Sequence, residues 1–320
     1  MSCCGQIGKI TVGNGIWGIL EEGMQSKAGT ADQGWALEEK LDEFNRHQHP
    51  FNGSGADESF AYVIKKGDQV VGGVAASSDD NAIGYIELLW VDETMRRQGL
   101  GRALLATVEQ ALQAAGCKRV RLETFDYQAP AFYLENGYHE FGKLNYDYAG
   151  VIEYFFVKML SLPIGYNIPP AFSIEAAEDL AMEAIENKLH AYNVKMKPLL
   201  QQKMGVTFTF LAEENGQCIG GIFGYSTMYK IGYIESLWVA ETNRHAGVGT
   251  ALVDVLVNAL KDFGCPIVHL DTMSYQGAAF YKALGFEQFG QLTYPEIDAA
   301  EVFFVKHLVS VGERTINANK

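Results

Sequence analysis

The chain contains one long stretch twice. Residues 83–104, IGYIELLWVDETMRRQGLGRAL, return as residues 231–252, IGYIESLWVAETNRHAGVGTAL, and 15 of the 22 positions are identical at an offset of 148. The same offset pairs Gly72-Gly73 with Gly220-Gly221, Phe132-Tyr133 with Phe280-Tyr281, Phe155-Phe156-Val157-Lys158 with Phe303-Phe304-Val305-Lys306, and Asn45 with Asn193. A period of 148 is too long for a solenoid repeat, so a whole domain has been duplicated and fused. The 320 residues suit two domains, each long enough to bury a core without disulfides or metal. The stretch 159–172, MLSLPIGYNIPPAF, holds three of the chain's eight prolines. The expected layout is therefore a first domain over 1–160, a linker over 161–172, a second domain over 173–309 and a polar tail over 310–320.

Each copy reads as mixed α/β. An amphipathic helix (31–48, 175–193) precedes a hairpin (60–66 with 69–76, 207–213 with 217–224) turning at Gly67-Asp68 or Asn215-Gly216. A long strand follows (83–91, 231–239), then a glycine-rich turn and a helix (99–115, 247–263) ending at Gly116 or Gly264. A strand (119–125, 267–273), a short helix (129–136, 277–284) and two more strands close the copy.

Charge narrows the function. The 39 acidic residues outnumber 25 basic ones, for a net charge of −14, and no dense Lys/Arg cluster exists. Nucleic acid is thereby disfavoured and small cations are favoured. No run of 18 apolar residues argues for a membrane span, and the N-terminus lacks a signal-peptide pattern. The five cysteines, Cys3, Cys4, Cys117, Cys218 and Cys265, are odd in number and without zinc spacing, which points to a reducing cytoplasm. Acylation of Cys3-Cys4 is disfavoured, because Ser2 stands where myristoylation needs glycine. His47 and His49 form a lone His-x-His, read as a solvated helix end rather than a metal site.

The chemistry is expected where Arg96-Arg97-Gln98-Gly99-Leu100-Gly101-Arg102 opens a helix. Glycines let backbone N–H groups approach a ligand, and a helix start offers unpaired donors and a positive dipole end. Such a loop can cradle a pyrophosphate or be a plain turn. Neither a P-loop nor a dinucleotide fingerprint is complete.

Arg96-x-x-Gly99-x-Gly101 and Arg244-x-x-Gly247-x-Gly249, with Tyr133-Leu-Glu-Asn-Gly-Tyr138 and Tyr281-Lys-Ala-Leu-Gly-Phe286 downstream, resemble the GNAT N-acetyltransferase superfamily. The resemblance covers nearly all of both copies. It implies two tandem domains, each a mixed, mostly antiparallel sheet covered by helices. It also implies acetyl-CoA as co-substrate and direct attack of a primary amine on the thioester. Glu87 and Glu235 take the position of the family's base, and Tyr133 and Tyr281 that of its general acid. A structural Glu and a packed aromatic are the alternatives at those places. The cofactor-binding residues implied are Leu89, Trp90 and Val91 for the thioester oxygen, then Arg96, Arg97, Gln98, Gly99, Leu100, Gly101 and Arg102. In copy two they are Leu237, Trp238, Val239, Arg244, His245, Ala246, Gly247, Val248, Gly249 and Thr250.

The copies are not interchangeable. Arg97-Gln98 becomes His245-Ala246, and Arg102 becomes Thr250, so the second loop has fewer cations for phosphates. His47-Gln48-His49-Pro50 becomes Lys195-Met196-Lys197-Pro198, and Asp79-Asp80 becomes Thr227-Met228. The leading expectation is N-acetyl transfer to a small cationic amine, with copy one the better catalyst. The alternatives are one copy acting as a non-catalytic acetyl-CoA-binding or pseudo-dimer module, and an acyl-CoA sensor. The assembly is expected to be an internal pseudo-dimer, as a monomer or a homodimer.

Overall fold

The computed structural model describes residues 16–19, 24–48, 58–79, 81–160, 168–201 and 205–308. Most of the expected linker, the tail, His49, Asp80 and the Cys3-Cys4 pair lie outside them. In chain order the elements begin with β1 (Ile16–Ile19), β2 (Met24–Ala28) and α1 (Ala31–Gln48). Next come β3 (Glu58–Lys66), β4 (Gln69–Ser78), β5 (Ile83–Val91), α2 (Leu100–Ala114) and β6 (Arg119–Phe125). The first half closes with α3 (Pro130–Glu135), β7 (His139–Tyr146) and β8 (Val151–Met159). The second half runs β9 (Phe172–Ala176), α4 (Asp179–Met196), β10 (Val206–Glu214), β11 (Gln217–Ser226) and β12 (Ile231–Val239). It ends with α5 (Val248–Asp262), β13 (Ile267–Met273), α6 (Ala278–Ala283), β14 (Glu287–Tyr294) and β15 (Ala299–His307).

Two mixed sheets result. One has the order β7-β8-β6-β5-β4-β3-β9, the other β14-β15-β13-β12-β11-β10-β2-β1. Every pairing is antiparallel except β5 with β6 and β12 with β13. Those parallel pairs need a crossover, which α2 and α5 supply. The apolar stripe of α2, Leu100, Leu104, Val108 and Leu112, recurs every four residues and is buried against the sheet with Ile64, Val74 and Val120. Val248, Leu252, Leu256 and Leu260 of α5 do the same with Phe208, Ile222 and Val268.

The compact units do not follow the repeat. Of the described residues, those in 58–198 form unit one, and those in 16–48 and 199–308 form unit two. Each copy opens with a strand that the sequence did not indicate, β2 or β9, and this strand and the helix after it pack on the sheet of the other half. Strand β9 pairs with β3, Tyr62 opposite Ala176, and β2 pairs with β10, Phe210 opposite Ala28. Helix α4 places Met182 and Ile185 against Val63 and Trp90. Helix α1 places Leu37 against Leu211 and Phe223. The exchange is reciprocal to the residue: Gln128 Nε2 donates to Asn193 Oδ1 at 3.0 Å, and Gln276 Nε2 donates to Asn45 Oδ1 at 2.6 Å. The start of α4 also moves from the expected 175 to Asp179, because Phe172–Ala176 is extended and paired. The opposite end of the helix runs on to Met196.

Candidate active sites

Each long central strand carries a bulge. In β4–β5, Ala75 faces Leu88 and Ala76 faces Ile86, so Glu87 is the extra residue. In β11–β12, Phe223 faces Ser236 and Gly224 faces Ile234, so Glu235 is the extra residue. A bulge re-aims its side chain and breaks the ladder locally. Beyond it the sheet splays. Pairing of β5 with β6 ends at Tyr85 opposite Arg121, yet β5 runs on to Val91. Pairing of β12 with β13 ends at Tyr233 opposite His269, and β12 runs on to Val239. The edges holding Leu89, Trp90 and Val91, or Leu237, Trp238 and Val239, thus face a gap on that side.

The turn after each strand is built the same way twice. Arg96 donates its Nε–H to the Val91 carbonyl at 3.0 Å, and Arg244 donates to the Val239 carbonyl at 3.1 Å. Their guanidinium groups lie 4.8 Å from the Tyr192 ring centroid and 4.3 Å from that of Phe44, both rings on exchanged helices. These arginines brace the loop. Arg97 and His245 both sit at φ 63°, and Gly99 and Gly247 both at φ 80°, immediately before α2 and α5. A Cβ added at Gly99 or Gly247 meets nothing within 4 Å. The need for glycine is conformational, and the space over the helix start is open. No side chain caps either helix, so the N–H groups of the first turn stay available to an anion. Of the expected cations, Arg97 is exposed, while Arg102 makes a loose 3.6 Å pair with exposed Glu135. The loop therefore fits a pyrophosphate by backbone first and side chain second.

The acidic groups at the bulges differ in how they are held. Burial raises the Glu87 carboxyl above its ordinary range, a hydrogen bond with the Ser77 side chain opposes this, and Glu186 on α4 adds to it. Burial, with help from Glu38 on α1 and from Asp271, holds Glu235 at about 8 against a Tyr225 hydrogen bond. Its Oε2 is buried without a hydrogen-bond partner, as is Oε1 of Glu38. Burial and neighbouring Asp42 raise Glu38 to about 7. The walls diverge as well. Tyr85 donates to Glu123 at 3.1 Å, and Arg121 pairs with Glu123 at 3.2 Å while stacking 4.9 Å from the Tyr85 ring. At the matching places Tyr233 donates to Asp271, and His269, pushed down to about 4 by burial, stands neutral and edge-on to Tyr233 at 4.9 Å.

Tyr133 and Tyr281 are buried on α3 and α6. Tyr133 meets Tyr138 edge-on at 5.5 Å, and Tyr281 meets Phe286 at 5.6 Å. Burial, then Asp271, pushes the Tyr281 phenol well up, which keeps it a proton donor. Sequence reading missed Glu38 and Glu186, and with them Phe44 and Tyr192. A signal for them exists: both pairs are related by the same offset of 148. Among the described residues no cluster of three or more His, Cys, Asp or Glu could hold a metal, and no helix is long and apolar enough to cross a membrane.

The family model described as the Acetyltransferase (GNAT) family matches residues 27–138 and again 174–286. The chain belongs to this family, twice over. It is 46% identical over 55 residues to a blasticidin-S acetyltransferase of Streptomyces morookaense, a match covering 17% of this chain and 40% of that one. It is 29% identical over 110 residues to an N-alpha-acetyltransferase of Sulfurisphaera tokodaii, covering 30% of this chain and 66% of that one. Among solved structures, an acetyltransferase from Bacillus cereus ATCC 14579 is 28% identical with a TM-score of 0.38, covering 42% of this chain and 96% of that chain.

Proposed function

We propose that both units transfer the acetyl group of acetyl-CoA to a primary amine of a small cationic acceptor by direct attack. The observation that carries this reading is the bulge, which sets a partly buried carboxylate on the strand that runs from a splayed edge to an open helix start in each unit. Acetyl-CoA supplies an acyl carbon activated as a thioester. Its pyrophosphate suits the first-turn N–H groups of α2 or α5, with Arg97 adding charge in unit one.

The protein's part is to move protons and orient. A primary ammonium has an ordinary pKa near 10.4 and is inert until it loses a proton. A carboxylate held at about 8, as Glu235 is, accepts that proton far more readily than an ordinary one. Glu87, raised in the same direction, serves unit one. As the amine nitrogen bonds to the acetyl carbon, the carbon–sulfur bond breaks. Tyr133 or Tyr281 then gives the departing sulfur its proton. An N–H of β5 within Leu89–Val91, or of β12 within Leu237–Val239, steadies the carbonyl oxygen as charge gathers there. The net charge of −14 favours cationic acceptors. A reducing cytoplasm suits the free thiols Cys117, Cys218 and Cys265.

Release of CoA thiol across a panel of amines tests the reading, run with the parent chain, Glu87→Gln, Glu235→Gln and the double variant. Amine-dependent release that falls in each single variant and vanishes in the double supports two working sites. Release untouched by the double variant removes both glutamates from the mechanism. Loss confined to one single variant makes the other unit a binding module.

A further inference from the structure

We infer that unit two takes an acceptor with two basic nitrogens, one that is acetylated and one that stays an ammonium against Glu38 of the exchanged helix α1. The inference rests on the acetyl-transfer reading above and adds a substrate class to it. Two carboxylate oxygens in this unit, Oε2 of Glu235 and Oε1 of Glu38, are closed to solvent and have no hydrogen-bond partner. Buried acceptors left without a donor are rare in native structures, and each calls for an explanation such as a missing ligand. Among the described residues no cation answers either group. Lys40, on the same helix, stacks 4.7 Å from the Trp238 ring centroid instead.

One amine cannot satisfy both carboxylates. The reacting nitrogen must be neutral to attack, so the proton it surrenders goes to Glu235 and its charge disappears. Glu38, once ionised, still lacks a counter-ion among the described residues, and a second, unreacting ammonium supplies it. Among the described residues the neighbours agree in sign: Asp42 on α1 and Asp271 on β13 are acidic, Tyr225 on β11 and Tyr233 on β12 are neutral, and His269 on β13 is held neutral by burial. Unit one lacks this vacancy of charge. There Glu186, the counterpart of Glu38, is exposed, no oxygen of Glu87 or Glu186 is buried without a partner, and Arg121 already pairs with Glu123 at 3.2 Å. The dibasic preference therefore belongs to unit two.

The test titrates the CoA-saturated full chain calorimetrically with straight-chain α,ω-diamines and with monoamines of equal length. In parallel it measures their acetylation in a chain whose unit one carries Glu87→Gln. A fully formed charge-assisted contact should favour the diamine by about 10- to 150-fold. Binding near neutral pH should also release protons, because an arriving cation lowers the affinity of the Glu38–Glu235 pair for hydrogen ions. Glu38→Gln should remove one diamine site per chain and bring the diamine down to the monoamine's level, chiefly through KM. Glu38→Asp should restore part of the preference, and Glu39→Gln, exposed one residue along, should leave it intact. Equal binding of diamine and monoamine to the parent chain overturns the inference, as does a Glu38→Gln chain that keeps the preference. Diamines that bind with proton release but are never acetylated support the inference and overturn the acetyl-transfer reading. Amines acetylated with no dibasic preference do the reverse.

Discussion

The two units share their floor and differ in their walls. Arg96 and Arg244 make the same carbonyl contact, Arg97 and His245 hold the same φ of 63°, and the bulge falls on the same glutamate. Around those glutamates, Ser77 has become Tyr225, Arg121 has become His269 and Glu123 has become Asp271. On the proposed reading, duplication has kept the backbone of the donor-binding loop, though not its cations, and has varied the residues that face the acceptor. Differences in a wall change which amine fits, whereas differences in the floor would change whether the reaction runs at all.

Single substitutions test how far the two units differ. The largest effect is expected from Glu235→Gln: removing a general base should cut acetylation at unit two by about 10²- to 10⁴-fold, with cofactor affinity little changed, as steady-state rates and CoA titration would reveal. Next is Gly99→Val. A β-branched residue at φ 80° is strained and fills the open space over the helix start, so one of the two CoA sites per chain should disappear. Gly247→Val should delete the other. Arg97→Ala should weaken CoA binding at unit one by about 10-fold or more if its contact is fully formed, and His245→Ala should matter less at unit two. Equal losses would show that the two loops hold CoA alike despite the cation that unit two lacks.

A subtler effect concerns pH. Glu235 binds its proton more tightly folded than unfolded, so its contribution to stability is present at low pH and is lost as pH rises from the ordinary carboxylate range through about 8. Glu235→Gln should therefore raise Tm by an amount that grows between those limits. Acetylation at unit two should climb over the same interval, since the base must be ionised to act. The smallest effect is Asn45→Ala, which leaves the Gln276 amide without its 2.6 Å acceptor and should cost about 1 kcal/mol. Hydrogen exchange should place that loss in residues 205–308, although the substitution is in the first half.

Much of this was legible in the letters. The helix expected at 31–48 is Ala31–Gln48, the long strands are 83–91 and 231–239, and Gly99 and Gly247 open their helices because only a left-handed residue makes that turn. What pattern could not convey is which sheet a helix chooses. The stripes of α1 and α4 fit two related surfaces, one around Val63 and Trp90 and one around Leu211 and Phe223, and periodicity names a face without naming its partner. The bulges were equally silent, since an extra residue in a ladder leaves no trace in a single strand read alone. Glu38 and Glu186 went unseen for the first reason: their importance lies in a neighbour far along the chain.

The exchange of α1 and α4 also ties the fates of the two gene halves. A substitution in residues 31–48 is judged by natural selection through the chemistry of residues 199–320, and one in residues 179–196 through that of 51–160. Deleting either copy would leave the survivor with its own helix but without the one that now packs on its sheet. Two divergent sites in one polypeptide therefore evolve as a linked pair.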